Sequence, residues 1–163
     1  MKSRILPRKP QIGRNRLLFL AMTMVMGFFF HSSVQAQTNN DFEFLDEPEY
    51  SILKSAFDKS NFDITESKSG YYTFFAPTNE AFRALGEEKL KYLFNNPKEL
   101  YEILKYHFVS GRVYARDLSD GQIVEMRDST DAFISLFDGK AFINQARIIK
   151  TDVKTFTGVI HFI

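Results

Sequence analysis

The sequence predicts an α+β domain, with helices first and a mostly antiparallel strand region after them. Three observations carry this. Apolar residues recur at helical spacing between Pro48 and Phe108. Short alternating or β-branched runs bounded by turn residues fill the stretch from Arg112 to Ile163. Runs of helices followed by runs of strands, rather than alternation of the two, mark this class.

The chain opens with a segment that is read apart from the domain. Met1 to Arg16 carries six basic residues and no acidic one. Leu17 to Phe30 is an uncharged run of 14 residues, and Val34-Gln35-Ala36 follows as a small-residue cleavage signal. A basic stretch, a short apolar stretch and such a site make a secretory signal peptide over 1–36, cut after Ala36. The run is shorter than the roughly 20 residues of a spanning helix. No Cys follows it to take a lipid anchor. The expected location is therefore extracytoplasmic: periplasm, cell surface or medium.

Removing 36 of 163 residues leaves 127, which suits one domain. That part keeps all 20 acidic residues and 15 of the 21 basic ones, a net charge near −5. A net-acidic domain lacks the basic patch that nucleic acid or an anionic membrane requires. With no Cys in the chain, disulfides, thiolate metal sites and Cys nucleophiles are excluded. There is no Trp, so the 14 of the 18 Phe that follow residue 36 must supply much of the core.

Residues 37–47 read as a loose acidic lead-in. Pro48 suits a first helical turn, and Tyr50, Leu53, Ala56 and Phe57 follow as an apolar stripe. Ser67 to Gly70 reads as a turn and Tyr71 to Phe75 as a buried strand. Thr78 is placed to cap a helix whose buried stripe is Ala81, Phe82 and Leu85 and which Gly86 stops. Glu87 to Phe94 is a short helix. Leu100, Ile103, Leu104, His107 and Phe108 predict a strongly amphipathic helix ending at Gly111. Strands are expected at Arg112–Tyr114, Gln122–Met126, Ala132–Phe137, Lys140–Asn144, Arg147–Asp152 and Val159–Ile163. Asp138-Gly139 is a hairpin signal.

Three segments in this order resemble the fasciclin domain family. Thr73-Phe74-Phe75-Ala76-Pro77-Thr78-Asn79-Glu80-Ala81-Phe82 is similar to its first signature. Leu104-Lys105-Tyr106-His107-Phe108-Val109-Ser110-Gly111 resembles its central tyrosine–histidine motif. Gly158-Val159-Ile160-His161-Phe162-Ile163 looks like its second signature. The resemblance places a fasciclin-like domain over 48–163. It implies a β-sandwich wedge with the N-terminal helices packed over the sheet, and a non-enzymatic adhesion module. Family members usually continue past the second signature, so a clipped last strand or a longer protein is also an expectation.

The candidate residues follow. His107 has two readings: a buried imidazole paired with Thr78 or Asn79, which pack beside it in the family, or, with Tyr106, a partner-binding surface. Arg112, Tyr114 and Arg116 are candidate contact residues on a turn-rich stretch, where binding groups concentrate. His161 is expected near the surface, on the strand face opposite Ile160 and Phe162. No catalytic, cofactor or metal role is assigned. The acidic run Asp41 to Glu49 lacks the alternation and the Gly of a calcium loop, and no G-x-S-x-G, Gly-rich phosphate loop or N-x-[ST] sequence occurs. The expected partner is a protein or an envelope or matrix component. The alternative is a small apolar ligand in an enclosed cavity of at least roughly 300 Å³.

Overall fold

A computed structural model describes residues 41–63 and 70–163. The expected signal peptide, the start of the lead-in and most of the Ser67–Gly70 turn lie outside the described residues.

Two four-stranded sheets organise the fold. In the first the order is β2-β1-β8-β7, from β1 (Tyr72–Ala76), β2 (Phe108–Ser110), β7 (Lys150–Lys154) and β8 (Gly158–Phe162). The central strands β1 and β8 run parallel, with Phe74 beside Ile160, and the other pairings are antiparallel. Both central strands are buried along their whole length, as strands covered on two faces must be. The second sheet is the meander β3-β4-β5-β6, from β3 (Ile123–Glu125), β4 (Asp131–Phe137), β5 (Lys140–Ile143) and β6 (Ala146–Arg147). Asp138 and Gly139 both take positive φ in the β4–β5 hairpin, as its two-residue turn demands.

Strand alternation divides the core in two. Tyr72, Phe74, Ile160 and Phe162 point to the helices α1 (Ser51–Ser60), α2 (Asn79–Ala84), α3 (Glu87–Asn95) and α4 (Pro97–Lys105). Phe75, Val109 and Ile163 point the other way, onto Val124, Ile134 and Ile143 of the second sheet. The helix-side cluster is aromatic: Phe74 stacks on Phe108 at 4.2 Å between ring centres, and Phe108 on Phe62 at 5.5 Å. Phenylalanine thus fills the space that tryptophan would take.

Thr78 caps α2, its Oγ1 accepting from Ala81 N at 3.3 Å and donating to Ile163 O at 3.1 Å. Asn79 ties α2 to α1. Its Oδ1 accepts from Ile52 N at 2.9 Å, and its Nδ2 donates to Pro48 O at 2.9 Å. The first signature therefore joins three elements through two polar side chains.

Several expectations need correction. The described part of the lead-in, from Asp41 on, is part of the fold. Asp41 is only 7% exposed, and Phe42 and Leu45 are buried. Glu43–Asp46 and Pro48–Tyr50 form 3-10 turns. The Asp41 carboxylate accepts from Phe156 N at 2.8 Å, Thr157 N at 3.1 Å, Tyr72 Oη at 3.2 Å and the Thr157 hydroxyl. The fourth helix ends at Lys105, so His107 leaves it and Phe108 opens β2. The apolar spacing continued past the helix because a strand took over the same buried face. Leu85 is 42% exposed, since α2 stops one residue earlier and the chain turns at Gly86. Residues 112–114 form a loop, and the expected strand Arg147–Asp152 is split between β6 and β7.

Candidate functional site

The tyrosine–histidine segment sits where the end of α4 meets the rim of the second sheet. The turn between β5 and β6 faces it, with Asn144 in the left-handed region at φ 52°. Asn144 Nδ2 donates to Tyr106 Oη at 2.6 Å, and its Oδ1 accepts from Phe133 N at 3.0 Å. Tyr106 Oη also donates to Asp131 O at 3.5 Å, so the ring is fastened to the second sheet at two points. Beneath lies an open recess of about 320 Å³, lined by Phe75, His107, Met126, Ile143, Ala146 and Ile163, with Tyr106, Asn144 and Gln145 also on its wall. Its walls are apolar, and its polar groups stand on the helix end and the turn.

His107 is half-buried and lines this recess. Its Nδ1 lies 2.6 Å from Ile103 O, one turn back, so Nδ1 carries the proton and Nε2 the lone pair. Burial lowers its pKa, and the bond to Ile103 opposes this only in part. The expected pairing with Thr78 or Asn79 does not form, because both are engaged elsewhere. The imidazole proton is used structurally, by Ile103 O, and the ring lines the recess.

His161 reverses the surface expectation: it is 0% exposed. The face of β8 opposite Ile160 looks onto the second sheet rather than onto solvent. The ring stacks on Phe75 at 5.3 Å. Nε2 donates to Val113 O at 2.9 Å, and Nδ1 accepts from Asp152 N at 3.3 Å. A bulge in β7 makes this possible, with Asp152 at φ 58°. Both ring nitrogens are satisfied in the neutral state. Burial holds the pKa below the usual histidine value, against the smaller effects of Val113 and Asp152.

Arg112, Tyr114 and Arg116 lie at the other end of the first sheet. β2 separates the two groups, and five residues at about 3.3 Å each make roughly 16 Å. Arg112 stacks on Tyr71 at 4.0 Å and donates to Phe156 O at 2.8 Å. Tyr114 lies under Arg116 at 4.7 Å and Lys154 at 6.0 Å. Arg116 also stands 3.6 Å from Asp117, so this end is electrostatically mixed. The sequence candidates therefore fall into two places, and the structure does not bring them together.

Sequence reasoning missed Asn144, Gln145, Ala146 and Met126. The signal for the turn was Asn144 between two short strands, a residue that tolerates the left-handed region. Nothing local marks Met126 as part of the recess. Among the described residues, no group of three or more His, Asp or Glu is placed to hold a metal ion.

The fasciclin domain family model matches residues 48–163. Protein sll1483 of Synechocystis sp. is 35% identical over 116 residues, covering 70% of this chain and 64% of that protein. Transforming growth factor-beta-induced protein ig-h3 of Sus scrofa is 32% identical over 121 residues, 70% of this chain and 17% of that protein. The matched stretch thus spans less than two thirds of either relative. A solved FAS1 domain pair from the insect cell adhesion molecule fasciclin I shares the fold at a TM-score of 0.59 and 21% identity, covering 72% of this chain and 46% of that one.

Proposed function

This chain belongs to the fasciclin domain family, and from that premise we propose that it is an exported adhesion and protein-interaction module. It acts at the cell envelope or in extracellular matrix after removal of residues 1–36. Its partner is a protein or matrix component that inserts an apolar side chain beside Tyr106 and His107. The observation that carries this reading is the recess itself. An apolar floor of Phe75, Met126, Ile143 and Ile163 is edged by hydrogen-bonding groups of Tyr106, Asn144 and Gln145. An apolar recess beside an anchored aromatic, with a polar rim, is the anatomy of an interface hot spot once a partner fills it. The histidines support a non-catalytic role. His161 is consumed by two backbone bonds, and the His107 proton by a third.

The test is capture of envelope or matrix material by the wild-type protein and by two variants. Ala146→Phe fills the recess, whereas Arg116→Ala changes the far end. Binding that survives Arg116→Ala and is lost with Ala146→Phe supports the proposal. Binding unaffected by Ala146→Phe refutes it.

One observation favours a second reading, a small apolar ligand. The recess volume of about 320 Å³ falls within the range of ligand sites. It is open on one side, which suits a protruding side chain better than an enclosed molecule. Titration with an environment-sensitive apolar dye separates the two. Saturable binding abolished by Ala146→Phe, without capture of any macromolecule, would favour the ligand.

A further inference from the structure

The outer face of the second sheet carries large apolar side chains exposed to solvent. Strand alternation directs Ala132, Ile134 and Ile143 inward, where they are buried, and Ile123, Phe133, Phe137 and Phe142 outward. Outward apolar residues on a solvated face are unusual in this number. Ile123 is 57% exposed, Phe133 54% and Phe137 75%, and Phe142 is half-buried. The register makes them neighbours: Ile123 stands opposite Phe133, and Phe142 opposite Ser135, the next outward position beyond Phe133. Among the described residues no element covers them.

The charges on the same face are segregated. Glu125 stands opposite Asp131 at one end, a like-charge pair that costs the sheet stability in isolation. At the other end, Lys140 stands opposite Phe137, and Arg147 opposite Phe142. Of these two cations, Lys140 also reaches Asp138 at 3.7 Å, on the hairpin tip. From Asp131 to Phe137 is six residues, roughly 20 Å at about 3.3 Å per residue. The strand positions of the face therefore read acidic pair, apolar stripe and basic pair, with Asp138 of the hairpin tip beside Lys140.

We propose that this face docks onto the same face of a second copy of the chain. A two-fold axis lying in the interface, across the acid-to-base diagonal, sets Glu125 and Asp131 of each copy over Arg147 and Lys140 of the other. The Ile123–Phe133–Phe142 stripes then meet in the middle. A two-fold contact requires one patch to complement itself, and this arrangement of charge supplies that requirement. It also sets cations of the other copy against the Glu125–Asp131 pair.

The size of the face sets the strength. Three exposed large side chains, each of roughly 150–250 Å² in full, contribute about 350 Å² of apolar area. That is a substantial patch for a monomer, and less than half of the roughly 800 Å² per partner in a standard interface. The charged ends must supply the remainder. The dimer is accordingly concentration-dependent and weakened by salt.

The experiment is sedimentation velocity of the protein expressed from its full sequence, across a hundredfold range of concentration at low and high salt. A shift from monomer to dimer mass with rising concentration, reduced in high salt, is expected. Phe133→Asp should leave monomer throughout, with an unchanged circular dichroism spectrum. Arg147→Glu should weaken association at least tenfold. Combining it with Glu125→Arg restores opposite charges at both symmetric contacts and should recover dimer. Monomer at every concentration overturns the proposal, as does a dimer indifferent to Phe133→Asp. The charge swap keeps the test open if Phe133→Asp misfolds: a double variant as weak as Arg147→Glu alone contradicts the proposed packing.

Discussion

Replacing Asp41 with Ala should destabilise the domain by about 3 kcal/mol, although Asp41 lies in a stretch whose composition reads as solvated linker. The carboxylate gathers two backbone N–H groups and two hydroxyls from the β7–β8 turn and from Tyr72. Hydrogen bonds to a charged group contribute roughly 1.5–3 kcal/mol each. The turn is half-exposed, so water replaces part of what is lost, and the net falls near the value of one to two such bonds. For a domain of this size that is a fall in Tm of roughly 10 °C. Burial acts to raise the Asp41 pKa, but the bonds from Thr157, Phe156 and Tyr72 outweigh it and hold the pKa below the usual value. The sign follows from linkage: a depressed folded-state pKa adds stability above the unfolded value, near 3.9, and loses it as pH falls through the folded one. Urea unfolding of wild type and Asp41→Ala should therefore differ by about 3 kcal/mol at pH 7, and the difference should shrink below about pH 4. A variant within about 0.5 kcal/mol of wild type at pH 7 would refute the anchoring role. So would a gap that stays constant into acid.

Three further outcomes are expected. His161, neutral and buried, has its folded pKa below the unfolded value near 6.5, so its contribution is complete above that value and is lost as pH falls from there through the folded pKa. Protonating Nδ1 would set two N–H groups against each other at Asp152, and His161→Leu should flatten the stability–pH slope as pH falls below about 6.5. His107 shifts in the same direction, so a residual slope that vanishes in the His107→Leu/His161→Leu double variant completes this check. Gly158→Ala should cost about 2–4 kcal/mol, because a Cβ at Gly158 would fall 2.5 Å from the Tyr72 ring, which is held by Phe42, Phe108 and Asp41. An unchanged Tm would show that the ring can move aside. Phe74→Ala should cost about 3–5 kcal/mol in chemical denaturation, since its ring is wholly buried and stacked on Phe108. A loss under about 1 kcal/mol would mean that the aromatic cluster collapses to fill the space.

The candidate site was half legible in the sequence. Tyr106 and His107 were identifiable because their segment resembles a family motif. The recess beside them was not, because its opposite wall comes from Met126, Ile143 and the turn at 144–146, none of which is marked locally. Arg112, Tyr114 and Arg116 were grouped with the histidine by nearness in sequence. A short strand between them carries the two groups to opposite ends of the sheet.

The sequence by itself determined the fold class, the capped helix at Thr78, the Asp138-Gly139 hairpin and the strands at the two signatures. Each depends on chemistry within a few residues: a side-chain oxygen at a helix start, two residues tolerant of positive φ, or a run of apolar side chains. Burial of individual polar residues was decided only by tertiary structure. The alternation of His161 with Val159 and Ile163 identifies a strand face, but not what lies over that face. Here it is a second sheet, and a bulge forty residues from the loop at Val113 supplies the other hydrogen bond. Asp41 is the same case, since its partners lie more than thirty and more than a hundred residues away. A carboxylate is solvated or buried according to donors that local sequence does not contain, so its role becomes visible only when the chain has brought those donors to it.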